Sequence, residues 1–99
     1  MILMEIIWTQ KARNSYWNNI NYLEHYWNDD IADDFENETL RVLDIIEKNP
    51  HIGRYDEDFQ CYIFLIVKQI SLLYDLNNNQ IVLLNFWDNR QKPIKRLNI

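Results

Sequence analysis

Glycine is almost missing from this chain. Among its 99 residues only Gly53 is a glycine, and loops that cradle phosphate with backbone amides need several. Recognisable nucleotide-binding loops are therefore excluded. Cysteine is equally scarce. Cys61 stands alone, so no internal disulfide can form, and its place inside an apolar run marks it as a small buried hydrophobe rather than a reactive thiol. A reducing, cytoplasmic setting fits that usage. The two histidines, His25 and His51, lie far apart without cysteine neighbours and make no zinc pattern. Ser15 and Ser71 lack the glycine-rich elbow of a hydrolase nucleophile. No run approaches the roughly 18 apolar residues of a membrane span, and the apolar opening Met1–Met4 has no basic region and is too short for a secretory leader. No cofactor, no metal and no membrane association are expected.

Charge is present but divided. The net charge of −5 combines −8 over residues 1–58 with +3 over residues 59–99. A net acidic chain is a poor general binder of nucleic acid, although the basic C-terminal part could meet an anionic partner locally. Asp29, Asp30, Asp33 and Asp34 resemble a metal cluster. Their position at the start of a helix explains them instead, since carboxylates favour the positive end of the helix dipole.

Large apolar side chains are abundant: four Trp, six Tyr and four Phe. Met4–Trp8 reads as a first strand, and Thr9 is a good N-cap. Ala12, Tyr16, Ile20, Leu23 and Trp27 then recur at helical spacing. Asn28-Asp29-Asp30 breaks the pattern. A second stripe follows through Ile31, Phe35, Thr39, Val42 and Ile46, widened by Leu40 and Leu43, and Asn49-Pro50 ends it. The short break predicts an antiparallel helical hairpin. His51–Phe59 reads as a polar connector. Cys61–Val67, Ser71–Leu76 and Gln80–Trp87 read as strands, with a turn at Asn77-Asn78-Asn79. The basic tail from Asp88 to Ile99 is expected to be extended or a short helix. The expected order is β-α-α-β-β-β in one domain over residues 1–99: an α+β fold with a helical hairpin on one face of a small, mostly antiparallel sheet.

Two of these strands are apolar on both faces. Cys61–Val67 reads Cys-Tyr-Ile-Phe-Leu-Ile-Val, and Ile81–Leu84 reads Ile-Val-Leu-Leu. Successive strand side chains point to opposite faces, so both sides of this sheet require cover. One hairpin covers one side. The other is left for a partner or a substrate. Because both parities are apolar, the sequence does not say which residues face outward.

In this order the residues resemble the RelE/ParE toxins of bacterial type II toxin–antitoxin systems. The resemblance is carried by Ile6-Ile7-Trp8-Thr9 followed by Ala12, by Tyr22-Leu23 and Trp27, by Leu43, Ile46 and Asn49-Pro50, and most of all by Phe86-Trp87-Asp88-Asn89-Arg90-Gln91-Lys92-Pro93. That last run is similar to the ending of ParE-type members. The resemblance implies a toxin neutralised by a cognate antitoxin and acting on DNA gyrase. The alternatives it leaves open are a ribosome-dependent mRNA endonuclease of RelE type and a degenerate member that only binds antitoxin. A homodimer or a toxin–antitoxin hetero-oligomer is compatible with it.

The nuclease branch carries basic residues on the middle strand, a later arginine near the end of the last strand and often a C-terminal tyrosine. Here Ile63 and Leu65 stand where lysines are expected, Ser71 stands about where an arginine would, and no tyrosine follows Tyr74. That departure argues against ribonuclease chemistry, which needs cations to offset charge developing on phosphate. Arg90 is retained, and Lys68 could stand in from a shifted position. These two are the candidate catalytic residues. Trp87, Asn89, Arg90 and Lys92 are the candidate partner- or target-binding residues. Arg90 could instead pair with Asp88; as a residue at the tail edge it is expected to contribute little packing.

Overall fold

The structure, a computed structural model, describes residues 4–90. Seven elements follow in order: β1 (Glu5–Trp8), α1 (Gln10–Tyr26), α2 (Asp29–Lys48), β2 (Arg54–Asp56), β3 (Cys61–Val67), β4 (Ile70–Asn77) and β5 (Gln80–Asp88). The strands form one sheet in the order β1-β5-β4-β3-β2. Only β1 and β5 pair in parallel; the other pairs are antiparallel. This is the expected α+β arrangement with one strand added.

The added strand is β2, inside the stretch that reads as a polar connector. Arg54-Tyr55-Asp56 has no apolar alternation to announce it. It is held by its ladder to β3, with Arg54 opposite Ile63 and Asp56 opposite Cys61. The Asp56 carboxylate accepts from the Asp58 and Phe59 amides at 2.9 and 3.0 Å. That local turn, closed by Gln60 at φ 54°, feeds the chain into β3.

The helices start where side chains cap them. Thr9 Oγ1 accepts from the Ala12 amide at 3.1 Å and donates to the Leu83 carbonyl at 2.7 Å, so one hydroxyl caps α1 and ties it to β5. Asn28 Oδ1 accepts from the Ile31 amide at 2.9 Å, and Asp29 and Asp30 occupy the first turn of α2. The hairpin buries Ala12, Ile20, Leu23, Ala32, Phe35, Val42 and Ile46 against Leu72, Tyr74, Ile81, Leu83 and Phe86. Two residues of the expected stripes lie outside this core: Trp27 is 50% exposed at the end of α1, and Leu40 is 68% exposed on α2. Asn19, outside the expected stripe, is buried on α1, and Thr39 is buried on α2 as its place in the stripe predicts.

Both buried polar residues have partners. Thr39 Oγ1 donates to the Phe35 carbonyl at 2.8 Å. Asn19 Nδ2 donates to the Phe86 carbonyl at 3.0 Å, while the Phe86 amide donates to Ser15 Oγ at 2.9 Å. Strand β1 pairs with β5 only as far as Leu83. Beyond it, Ser15 and Asn19 of α1 stand in for the missing strand and satisfy β5's backbone.

Candidate functional site

The sheet face away from the helices is now assignable. Cys61, Ile63 and Leu65 of β3 point there, opposite Leu73 and Ser71 of β4. On β5 the register slips one residue, with Leu73 opposite Asn85 but Tyr74 opposite Leu83. This bulge makes Leu84 an extra residue, and it puts Leu84 and Trp87 against the Cys61–Ile63–Leu73 cluster. Leu83 points the other way, into the helix-side core with no exposed surface.

This face is partly sheltered already. Cys61, Ile63 and Leu73 are 1, 3 and 6% exposed, whereas Leu65 and Phe59 are 57 and 49% exposed. Phe59, Cys61, Leu73, Leu84 and Trp87, together with Thr9, Lys11 and Asn85, line a shallow hollow of about 430 Å³. Burial, followed by Asp56 and then Asp75, pushes the Cys61 thiol up to about 11. Cys61 is therefore a neutral, apolar part of the floor at physiological pH, in keeping with its sequence reading.

The three positions at which the residue resemblance led to an expectation of cations share this one face. They hold Ile63 and Leu65 on β3 and Ser71 on β4, and Ser71 is fully buried. The Ser71 hydroxyl receives a hydrogen bond from Asn89 Nδ2 at 3.0 Å. Nothing at these positions could offset the charge of a phosphate.

The remaining candidates gather at one end of the sheet. Lys68 is exposed in the turn between β3 and β4. The Asn89 amide donates to the Gln69 carbonyl at 2.8 Å and its Nδ2 reaches the Lys68 carbonyl at 3.5 Å, so Asn89 closes that turn with its backbone and its side chain. Arg90 binds the Asp88 carboxylate in two places, Nε to Oδ1 and Nη2 to Oδ2, each at 3.0 Å. Its guanidinium also lies 4.3 Å from the centre of the Tyr22 ring. The expectation that Arg90 contributes little packing is thus corrected, because it pins the end of β5 to α1. Lys92 lies outside the described residues. Lys68 and Arg90 share an end of the sheet, but the guanidinium edge that would meet a phosphate already holds a carboxylate.

A second hollow, about 410 Å³, lies between α1 and the edge of β5, lined by Ser15, Asn18, Asn19, Tyr22 and Asp88 among others. Sequence reasoning weighed Ser15 only as a nucleophile and passed over Asn19. The signal was available: Asn19 sits beside Ile20 on the buried side of an amphipathic helix, where a polar residue requires a specific partner. Among the described residues no three His, Cys, Asp or Glu side chains converge as metal ligands. No described helix is long and apolar enough to cross a membrane.

No family model matches the chain, and no curated protein does. Solved structures do. The chromosomal ParDE TA system from P. aeruginosa superposes with a TM-score of 0.72 at 15% identity, covering 87% of this chain and 96% of that one. A YoeB/ParE toxin from Agrobacterium tumefaciens superposes at 0.59 and 10% identity, covering 86% and 98%. At such identities the likeness is one of fold, and the fold is the RelE/ParE arrangement implied by the residue resemblance.

Proposed function

We propose that this chain is the toxin of a type II toxin–antitoxin pair, nearer ParE than RelE, and that it acts in the cytoplasm by contact with a target rather than by cutting RNA. DNA gyrase is the target we favour. The antitoxin completes the cover of the outward sheet face, partner or target engages Trp87, Asn89 and Arg90 at the end of the sheet, and Lys92 is a further candidate contact.

One observation carries the reading. Where a RelE-type nuclease would display cations, this face exposes Leu65 and holds Ile63 and Ser71 buried. A surface of that chemistry suits desolvated protein contact and is unsuited to phosphate. The two structural neighbours, one from a ParDE system and one a YoeB/ParE toxin, lend the same reading support from fold.

Controlled expression in a bacterial tester strain, with and without the protein encoded beside this gene, tests the proposal. Growth arrest relieved by the neighbour, with DNA damage of the kind a poisoned gyrase leaves, is the expected result. Arrest with fresh ribosome-dependent mRNA cuts would return Lys68 and Arg90 to a catalytic role. Harmless overexpression would mark a degenerate member that poisons nothing.

A further inference from the structure

We infer that the hollow between α1 and the second half of β5 binds a neutral nucleoside through the amino edge of an adenine-type base. The inference goes beyond the toxin reading and stands without it. It begins from Asn19, which is 6% exposed. Both hydrogens of its Nδ2 are committed, one to the Ser15 carbonyl at 2.8 Å and one to the Phe86 carbonyl at 3.0 Å. Two carbonyl partners fix the orientation of the amide, so the remaining polar atom is the acceptor Oδ1. Oδ1 has no partner among the described residues, yet it is not sealed inside the protein. It therefore opens on the hollow that Asn19 lines. An acceptor on the floor of a hollow calls for a donor.

The surroundings exclude other occupants. A β-strand cannot add at Phe86, because Ser15 Oγ and Asn19 Nδ2 already hold its amide and its carbonyl. No cation is among the described residues that line the hollow, whereas the Asp88 carboxylate is. The Arg90 fork beside it is held by that carboxylate. A phosphate would meet a like charge and no free cation from the lining. The volume of about 410 Å³ falls within the roughly 300–1,000 Å³ of small-molecule sites, more than one side chain of a partner would fill.

The lining then defines the occupant. Asn18 and Asn85 border the hollow with side-chain amides that have no partner among the described residues. Tyr22 and Trp87 add aromatic rings. Amides beside rings match a nucleobase. An asparagine amide complements the amino group and neighbouring ring nitrogen of adenine, and the face of a base stacks on aromatic side chains. The exocyclic amino group donates to Asn19 Oδ1. A ring nitrogen accepts from the amide of Asn18 or Asn85.

The test titrates the full chain with adenosine, with purine riboside (the same molecule without the amino group), with adenosine monophosphate and with the dinucleoside phosphate of adenosine, followed by amide-resolved NMR. Adenosine is expected to shift the side-chain amide of Asn19 and the backbone amide of Phe86. Purine riboside should bind about tenfold more weakly, having lost the hydrogen bond to a buried acceptor. Adenosine monophosphate should bind no more tightly than adenosine. At least one of Asn18→Leu and Asn85→Leu should weaken adenosine about fivefold; Asn18 is exposed, so its variant folds. Dinucleoside binding as tight as that of adenosine assigns the base to a single strand, and weaker binding assigns it to a free nucleoside; either supports the site. The proposal is overturned if adenosine leaves Asn19 and Phe86 unshifted, if purine riboside binds as tightly, if the monophosphate binds more tightly, or if both variants bind as the parent does.

Discussion

Leu65 offers a direct trial of the outward face, because function and stability separate there. More than half of the side chain, 57%, remains open to solvent. Burying a whole leucine is worth about 1.5–3 kcal/mol, so covering the open part contributes about 1–1.5 kcal/mol to binding. Leu65→Ala should weaken the antitoxin complex roughly fivefold to tenfold. Leu65→Glu should do far more, since an unpaired carboxylate would be taken out of water at a cost of several kcal/mol. Neither change should strain the isolated chain. An exposed strand position shifts stability by no more than about 1 kcal/mol. Calorimetric titration of the variants with the neighbour-encoded protein reads the first quantity, and urea unfolding reads the second. A folded Leu65→Glu variant with parental affinity would remove this face from the interface and refute the reasoning.

Other outcomes follow from the geometry. Tyr74 is fully buried and its hydroxyl accepts from the Gly53 amide at 3.0 Å and donates to the Pro50 carbonyl at 2.8 Å; Tyr74→Phe should cost about 1–3 kcal/mol in urea unfolding, and no measurable loss would show that water replaces both bonds. Gly53→Ala should also destabilise, because a Cβ there would lie 2.6 Å from the Tyr74 hydroxyl oxygen; unchanged stability would show that the ring can retreat. Asn19→Leu leaves the Phe86 carbonyl without its donor and should cost about 1–3 kcal/mol, whereas an unchanged urea midpoint would deny the stand-in role of α1. Cys61 is held neutral by burial with an ionisation near 11, above the ordinary 8.5 or so of an unfolded thiol; its contribution is present below about pH 8.5 and is lost as pH rises toward 11. Unfolding at stepped pH should show that decline and Cys61→Ala should lessen it, while a parent curve flat across the window would contradict the assignment.

Much of this fold is written in residue spacing. The stripes through Ala12 and Leu23 and through Phe35, Val42 and Ile46 declare two helices with one buried side each, and Thr9 and Asn28 cap them by local rules. Strands β3, β4 and β5 are declared by their apolar runs. What the spacing hides is set at long range. Arg54-Tyr55-Asp56 becomes a strand only because β3 lies beside it. The outward parity of β5 depends on the bulge at Leu84, which no local signal marks, since Ile81-Val82-Leu83-Leu84 is apolar throughout. Arg90 shows the same limit at the site. Its pairing with Asp88 is legible two residues away, but its stacking on Tyr22 needs α1 brought alongside the end of β5.

On the proposed reading this protein works by contact and leaves RNA uncut. Purified chain added to ribosomes translating a defined mRNA, followed by mapping of RNA 5′ ends, tests it most directly. An intact message at every codon is expected. New ends that depend on both ribosome and protein, and that vanish with Lys68→Ala or Arg90→Ala, would contradict it.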